Sequence, residues 1–126
     1  MRKKALGKFG EDLAVQRLEA NGYRILDRNW HVREGEIDII AEIEGEIVFV
    51  EVKTRTSDLF GGPEEAITQN KQKRIIRASL AYLQEVDMLD KNWRVDFIGI
   101  LCNSKNEVID LQHFENIIQG ALEDFL

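Results

Sequence analysis

The residues best able to do chemistry in this chain are Asp38 and Glu51, with Lys53 two places after the second acid. A pair of carboxylates beside a primary amine is a donor set for a hard divalent cation, because oxygen-only ligation suits Mg²⁺ or Mn²⁺ better than zinc. Glu11, well upstream, is a third acid of interest. Ala14, Val15 and Leu18 follow it at helical spacing, so its carboxylate falls on or beside an apolar helix face. An acid there needs a partner, and either a cation or solvent reached along its flexible stem would serve.

Whether Asp38 and Glu51 meet depends on the strands that carry them. Residues 36–43 and 46–55 alternate apolar and polar side chains, and Glu44-Gly45 between them suits a two-residue hairpin turn. That turn sets Ile43 opposite Glu46 and, by extension, Asp38 opposite Glu51. Ile37, Ile39 and Ala41 then line up with Val52, Val50 and Val48 on one face. The other face carries Asp38, Ile40, Glu42, Ile47, Phe49, Glu51 and Lys53. Directly opposed carboxylates have Cβ atoms about 4.5–5.5 Å apart and destabilise a sheet unless something offsets them. A bridging cation is one answer, and an exposed polar face with Lys53 paired to Glu36 is the other.

The rest of the chain supplies the frame. A helix is expected over residues 6–21, stopped by Asn21-Gly22, and a first strand over 23–27. Gly61-Gly62-Pro63 breaks the chain, as a loop able to flex over a substrate or as a plain turn. A helix over 68–86 follows, with Thr68 as N-cap. Strands over 94–102 and 108–111 and a closing helix over 114–125 complete the order α-β-β-β-α-β-β-α. That order predicts an α/β protein with a central mixed β-sheet flanked by helices, and the helical crossover lets the third and fourth strands run parallel. On the 68–86 helix, Lys71 shares a face with Ile75, Ala78 and Tyr82 and so points toward the sheet, as a phosphate ligand or a support for the site. Lys73, Arg74 and Arg77 point outward. These three and Arg55 are candidate nucleic-acid contacts, and a solvated helix face explains the helical ones nearly as well. His31 and His113 lack metal spacing and read as loop or helix-start residues. Trp30 and Trp93 read as packing residues, Cys102 as a buried strand thiol, and Asp96 as an acid in a buried strand that needs a partner away from the metal site.

At 126 residues, 44% of them hydrophobic and only one a proline, the chain has the makings of a single domain over 1–126 with its own core. Its one cysteine excludes an internal disulfide, and neither a signal peptide nor a membrane-length apolar run is visible, so a cytoplasmic, membrane-free location is expected. The formal charge of −6 at first argues against nucleic acid. Position by position it does not. Residues 1–77 hold 14 basic and 14 acidic side chains, whereas 78–126 hold 3 and 9. Three of the first group of acids are the candidate ligands, so a basic working face and an acidic far side are expected.

Several segments, taken in order, resemble a known family. They are Gly7-Lys8-Phe9-Gly10-Glu11, then Gly22-Tyr23-Arg24-Ile25-Leu26 with Asn29, then Gly35-Glu36-Ile37-Asp38-Ile39-Ile40. After these come Phe49-Val50-Glu51-Val52-Lys53-Thr54-Arg55, the start of the helix at 71–75, and Arg94-Val95-Asp96-Phe97-Ile98. Together they resemble the YraN-like family of the PD-(D/E)xK nuclease superfamily, itself similar to archaeal Holliday junction resolvases. The resemblance implies a restriction-endonuclease-like core and a metal-dependent endonuclease that hydrolyses phosphodiester bonds in DNA, branched or structured DNA included. It implies that Asp38, Glu51 and the backbone carbonyl of Val52 hold Mg²⁺ or Mn²⁺, with Glu11 completing the shell directly or through water. Lys53 would orient water or help to deprotonate it. A resolvase-like homodimer is the assembly it allows. Two other readings stay open: a non-catalytic nucleic-acid-binding protein on the same fold, and a protein-interaction module that uses its acidic C-terminal helix.

Overall fold

The computed structural model describes residues 3–56 and 63–118. Its elements are α1 (Lys3–Ala20), β1 (Arg24–Val32), β2 (Gly35–Ile43), β3 (Glu46–Arg55), the single turn α2 (Pro63–Ala66), α3 (Gln69–Glu85), β4 (Trp93–Cys102) and β5 (Val108–Phe114). The five strands form one mixed sheet in the order β1-β2-β3-β4-β5. Only β3 and β4 run parallel, joined through α3, and every other neighbouring pair is antiparallel. This is the expected α/β core, a central mixed sheet flanked by helices.

Each face of the sheet carries one long helix. Ala14 and Leu18 of α1 pack on Ile39, Ala41, Val48, Val50, Ile98 and Ile100. On the opposite side Ile75, Ala78, Tyr82 and Leu83 of α3 pack on Ile40, Ile47, Phe49, Val95 and Phe97. Ile40, Ile47 and Phe49 are fully buried, so an exposed polar face is excluded: α3 covers it. Tyr82 meets the rings of Trp30 and Phe49 edge-on, and Trp93 meets Phe49 likewise, so both tryptophans pack. Cys102 is buried as expected.

The β2–β3 hairpin turns at Glu44 and Gly45, with φ of 49° and 81°, the two positive values of a type I′ turn. The resulting pairs run from Ile43–Glu46 to Ile39–Val50, in the register expected. Beyond Ile39 the pairing stops and one expectation fails. Ile37 does not share a face with Ile39 and Ala41 but packs in the α3-side core.

Three more boundaries differ. The first strand continues past residue 27 to Val32, because residues 28–32 pair with β2. His31 and His113 accordingly lie in strands rather than in a loop or at a helix start. The last strand runs to Phe114 because 111–114 pair with β4, so the proposed helix does not start there, and residues 115–118 are not helical. The remainder of that helix, and Gly61-Gly62, lie outside the described residues. Among the described residues no helix is long and apolar enough to cross a membrane.

Candidate metal and nucleic-acid site

Alternation along β3 continues from Phe49 to Glu51 on the α3 side, and Glu51 enters the protein with its side chain only 11% exposed. The helix above supplies its partner. Thr68 caps α3 with extended backbone and accepts a hydrogen bond from the Lys71 N–H, which fixes Lys71 in the first turn. Lys71 points toward the sheet as expected, and its Nζ lies 2.7 Å from Glu51 Oε1. Gly35 permits the close approach of α3 to β2: a Cβ there would stand 3.0 Å from the Arg74 carbonyl oxygen.

Asp38 sits where the β2–β3 pairing ends. Its Oδ2 accepts a hydrogen bond from the Val52 N–H at 2.8 Å, so the side chain replaces the backbone partner that a continued ladder would have given. Burial, and next the Glu51 carboxylate, push the Asp38 carboxyl up to about 8 against the Val52 hydrogen bond; Glu11 and Glu36 add to the rise. Glu11 approaches from α1. Burial raises its pKa as well, opposed by a side-chain hydrogen bond from Asn29 and by the charge of Arg28. Its approach depends on Gly10, where α1 lies so close to β3 that a Cβ would fall 1.7 Å from Thr54 Oγ1.

Asp38 and Glu51 are thus brought into one electrostatic unit, with Glu11 nearby on the other side of the sheet. Three acids do not close on a single point: among the described residues no group of three His, Cys, Asp or Glu side chains is placed to hold a metal ion. Lys53 is half-buried on β3, opposite Gly99 of β4. Glu36, Glu51, Lys71 and Arg74 line a cleft of about 380 Å³ between α3 and strands β2 and β3. Lys73 and Arg77 are not among the described residues that line it, and Arg55 lies exposed at the far end of β3. Across Glu36 lies a second cleft, lined by Lys4, Lys8, Glu11, Arg28, Asn29 and His31. Sequence reasoning passed over Arg28 and Asn29 as site residues because the first strand was expected to end before them.

Asp96 stands apart from this site, as expected. It is fully buried and accepts hydrogen bonds from Arg94 Nε and from the Asn116 N–H, and its Oδ2 lies 2.8 Å from His113 Nε2. Arg94 in turn reaches Glu46 and the Tyr23 hydroxyl.

Residues 10–100, the span that holds Glu11, Asp38, Glu51, Lys53 and Lys71, match the family described as uncharacterised protein family UPF0102. The chain belongs to the UPF0102 family. It is 44% identical over 116 residues to a UPF0102 protein of Caldicellulosiruptor saccharolyticus, covering 92% of this chain and 98% of that one. A Geobacter metallireducens UPF0102 protein is 43% identical over 121 residues, covering 96% and 98%. This is the membership anticipated from the motifs. Among solved structures the UPF0102 chain is similar to Pyrococcus furiosus SfsA in complex with Ca²⁺, at 19% identity and a TM-score of 0.45, covering 93% of this chain and 65% of that one.

Proposed function

We propose that this UPF0102 chain is a metal-dependent endonuclease that hydrolyses phosphodiester bonds in DNA, with branched or otherwise structured DNA as a substrate class. One observation carries the reading: the interior carboxylates Asp38 and Glu51 are close enough for Glu51 to raise the Asp38 carboxyl, and Glu51 lines a cleft that also presents Lys71 and Arg74. Such a pair holds a proton or a cation, and Lys71 on Glu51 already marks the need for positive charge. The donor chemistry fits Mg²⁺ or Mn²⁺, which Asp38, Glu51 and the Val52 carbonyl would hold, with Glu11 reaching it through water. When bound, the ion supplies Lewis acidity toward a phosphodiester oxygen and activates water.

The chain's own residues would do the rest. The Val52 N–H fixes the Asp38 carboxylate, leaving its second oxygen as a ligand. Lys53, two residues beyond Glu51 on the same strand, would orient the attacking water and help to take its proton. Lys71, which lines the cleft beside Glu51, would contact the scissile phosphate, and Arg74 would grip a phosphate beside it.

The test is to incubate the protein with linear, branched and single-stranded DNA in Mg²⁺ or Mn²⁺, alongside Glu51→Ala and Lys53→Ala. Cleavage by wild type alone supports the reading. No cleavage of any substrate, or equal cleavage by the variants, removes it. A second reading, DNA binding without turnover, is favoured by the Lys71–Glu51 ion pair, which satisfies Glu51 without a metal. It expects salt-dependent binding that survives Glu51→Ala.

A further inference from the structure

Asn29 has a backbone φ of 51° in the middle of the nine-residue strand β1. The left-handed region is strained for most L-residues, and asparagine is among the few non-glycine residues that enter it readily. The flanking pairs are Arg28–Ile39 and Trp30–Ile37, which places Asn29 directly opposite Asp38.

The faces of these neighbours reveal what the unusual backbone does. Arg28 reaches Asp12 of α1 at 2.7 Å, and its partner Ile39 packs in the α1-side cluster. Trp30 packs on Tyr82 of α3, and its partner Ile37 lies in the α3-side core. In a regular strand, residues two apart share a face. Here both strands change face in step, and the change occurs at Asn29 and Asp38.

We propose that Asn29 is a positioning residue of the candidate metal site: its left-handed backbone turns the β1–β2 ribbon over at Asp38, and its side chain shares a cleft with Glu11 of α1. The inference rests on the metal-site reading above. With the ribbon turned over, Asp38 is directed to the end of the β2–β3 pairing, where it takes the Val52 N–H and faces Glu51. Asn29 and Glu11 line the same cleft, so one residue stands beside two acids carried by different elements. An accidental strand irregularity would account for the φ but not for a turnover that falls opposite Asp38 and beside the cleft that holds Glu11.

The experiment compares wild type, Asn29→Gly, Asn29→Ala and Glu51→Gln for Mn²⁺ affinity, by calorimetry and by electron paramagnetic resonance, and for Tm. Glycine accepts the backbone and lacks only the side chain. Asn29→Gly is therefore expected to keep the wild-type Tm while its Mn²⁺ affinity falls about tenfold, the scale of losing a residue that orients a ligand. Asn29→Ala loses both affinity and Tm. Wild-type affinity in Asn29→Gly, with wild-type binding abolished by Glu51→Gln, overturns the role of Asn29 and leaves the metal site standing. A Tm loss in Asn29→Gly as large as in Asn29→Ala also overturns it, since the side chain is then structural. Wild type without Glu51-dependent Mn²⁺ binding overturns both readings.

Discussion

The ammonium of Lys71 lies 2.7 Å from Glu51 Oε1, so the first turn of α3 supplies the counter-charge to an acid that β3 carries into the interior. Neutralising Lys71 leaves that carboxylate uncompensated. Breaking a fully buried pair costs about 3–5 kcal/mol, and the partial exposure of Lys71 reduces this to about 1–3 kcal/mol for Lys71→Ala. Urea unfolding in a chelator is expected to register that loss, and millimolar Mg²⁺ to recover part of it by taking the vacated place. A variant as stable as wild type in the chelator would show that the pair contributes nothing.

Asp38 gives the site a pH dependence of its own. Burial and the neighbouring Glu51 raise its carboxyl from 3.8 to about 8. Between those values the folded protein holds a proton that the unfolded chain has released, so the contribution of Asp38 to stability is fullest below 3.8 and declines as pH rises toward 8. The slope is bounded by one proton, about 1.4 kcal/mol per pH unit. Asp38→Asn can still accept from the Val52 N–H but cannot ionise, and is expected to flatten the decline. Unfolding curves from pH 4 to 8 for the two proteins decide the matter, and parallel curves would mean that Asp38 does not carry the effect.

Much of this arrangement is legible in the sequence, and the parts that are not share a physical reason. The helical spacing through Leu18 and through Ile75, Ala78 and Tyr82, the Thr68 cap and the Glu44-Gly45 turn are local signals, and the structure keeps them all. Counting from the turn sets Asp38 against Glu51, and the two acids do come near each other. The ladder ends at Ile39, however, and Asp38 bonds the Val52 N–H instead of continuing it. The change of face at Asp38 does not follow from that count, because Ile37, Ile39 and Ile40 offer an apolar side chain to either side of the sheet. It is set by the backbone of Asn29 on a different strand. The Lys71–Glu51 and Asp96–His113 contacts join residues far apart in sequence, through a crossover helix and across a strand pair. Only the direction of Lys71 was readable beforehand.

Gly10 offers a test of how α1 is seated. An added Cβ at this position would stand 1.7 Å from Thr54 Oγ1, so Gly10→Ala must push the helix off β3. Overpacking of this kind costs about 1–3 kcal/mol. It would also displace the adjacent Glu11. The expected outcome is a lower Tm for Gly10→Ala, restored in large part by adding Thr54→Ala, which removes the clashing hydroxyl. Thermal scans of the two single variants and the double variant test this, and strictly additive losses would mean that the contact is not the cause.

The Asp96 network predicts acid sensitivity away from the candidate site. Burial alone would raise this carboxyl, but hydrogen bonds with His113, Arg94 and the Asn116 N–H outweigh it and hold the pKa below the ordinary 3.8. A depressed carboxyl contributes stability that is fully present above 3.8 and is lost as pH falls through the folded value. Asp96→Ala would leave Arg94 and the Asn116 N–H without their shared acceptor in a buried place, at a cost of about 3–5 kcal/mol near neutral pH. The deficit should shrink in acid, since wild type loses the same interactions there. Denaturation of both proteins at pH 7 and at pH 3 measures the two differences, and a deficit that stays constant would show that the Asp96 charge is not what the network uses.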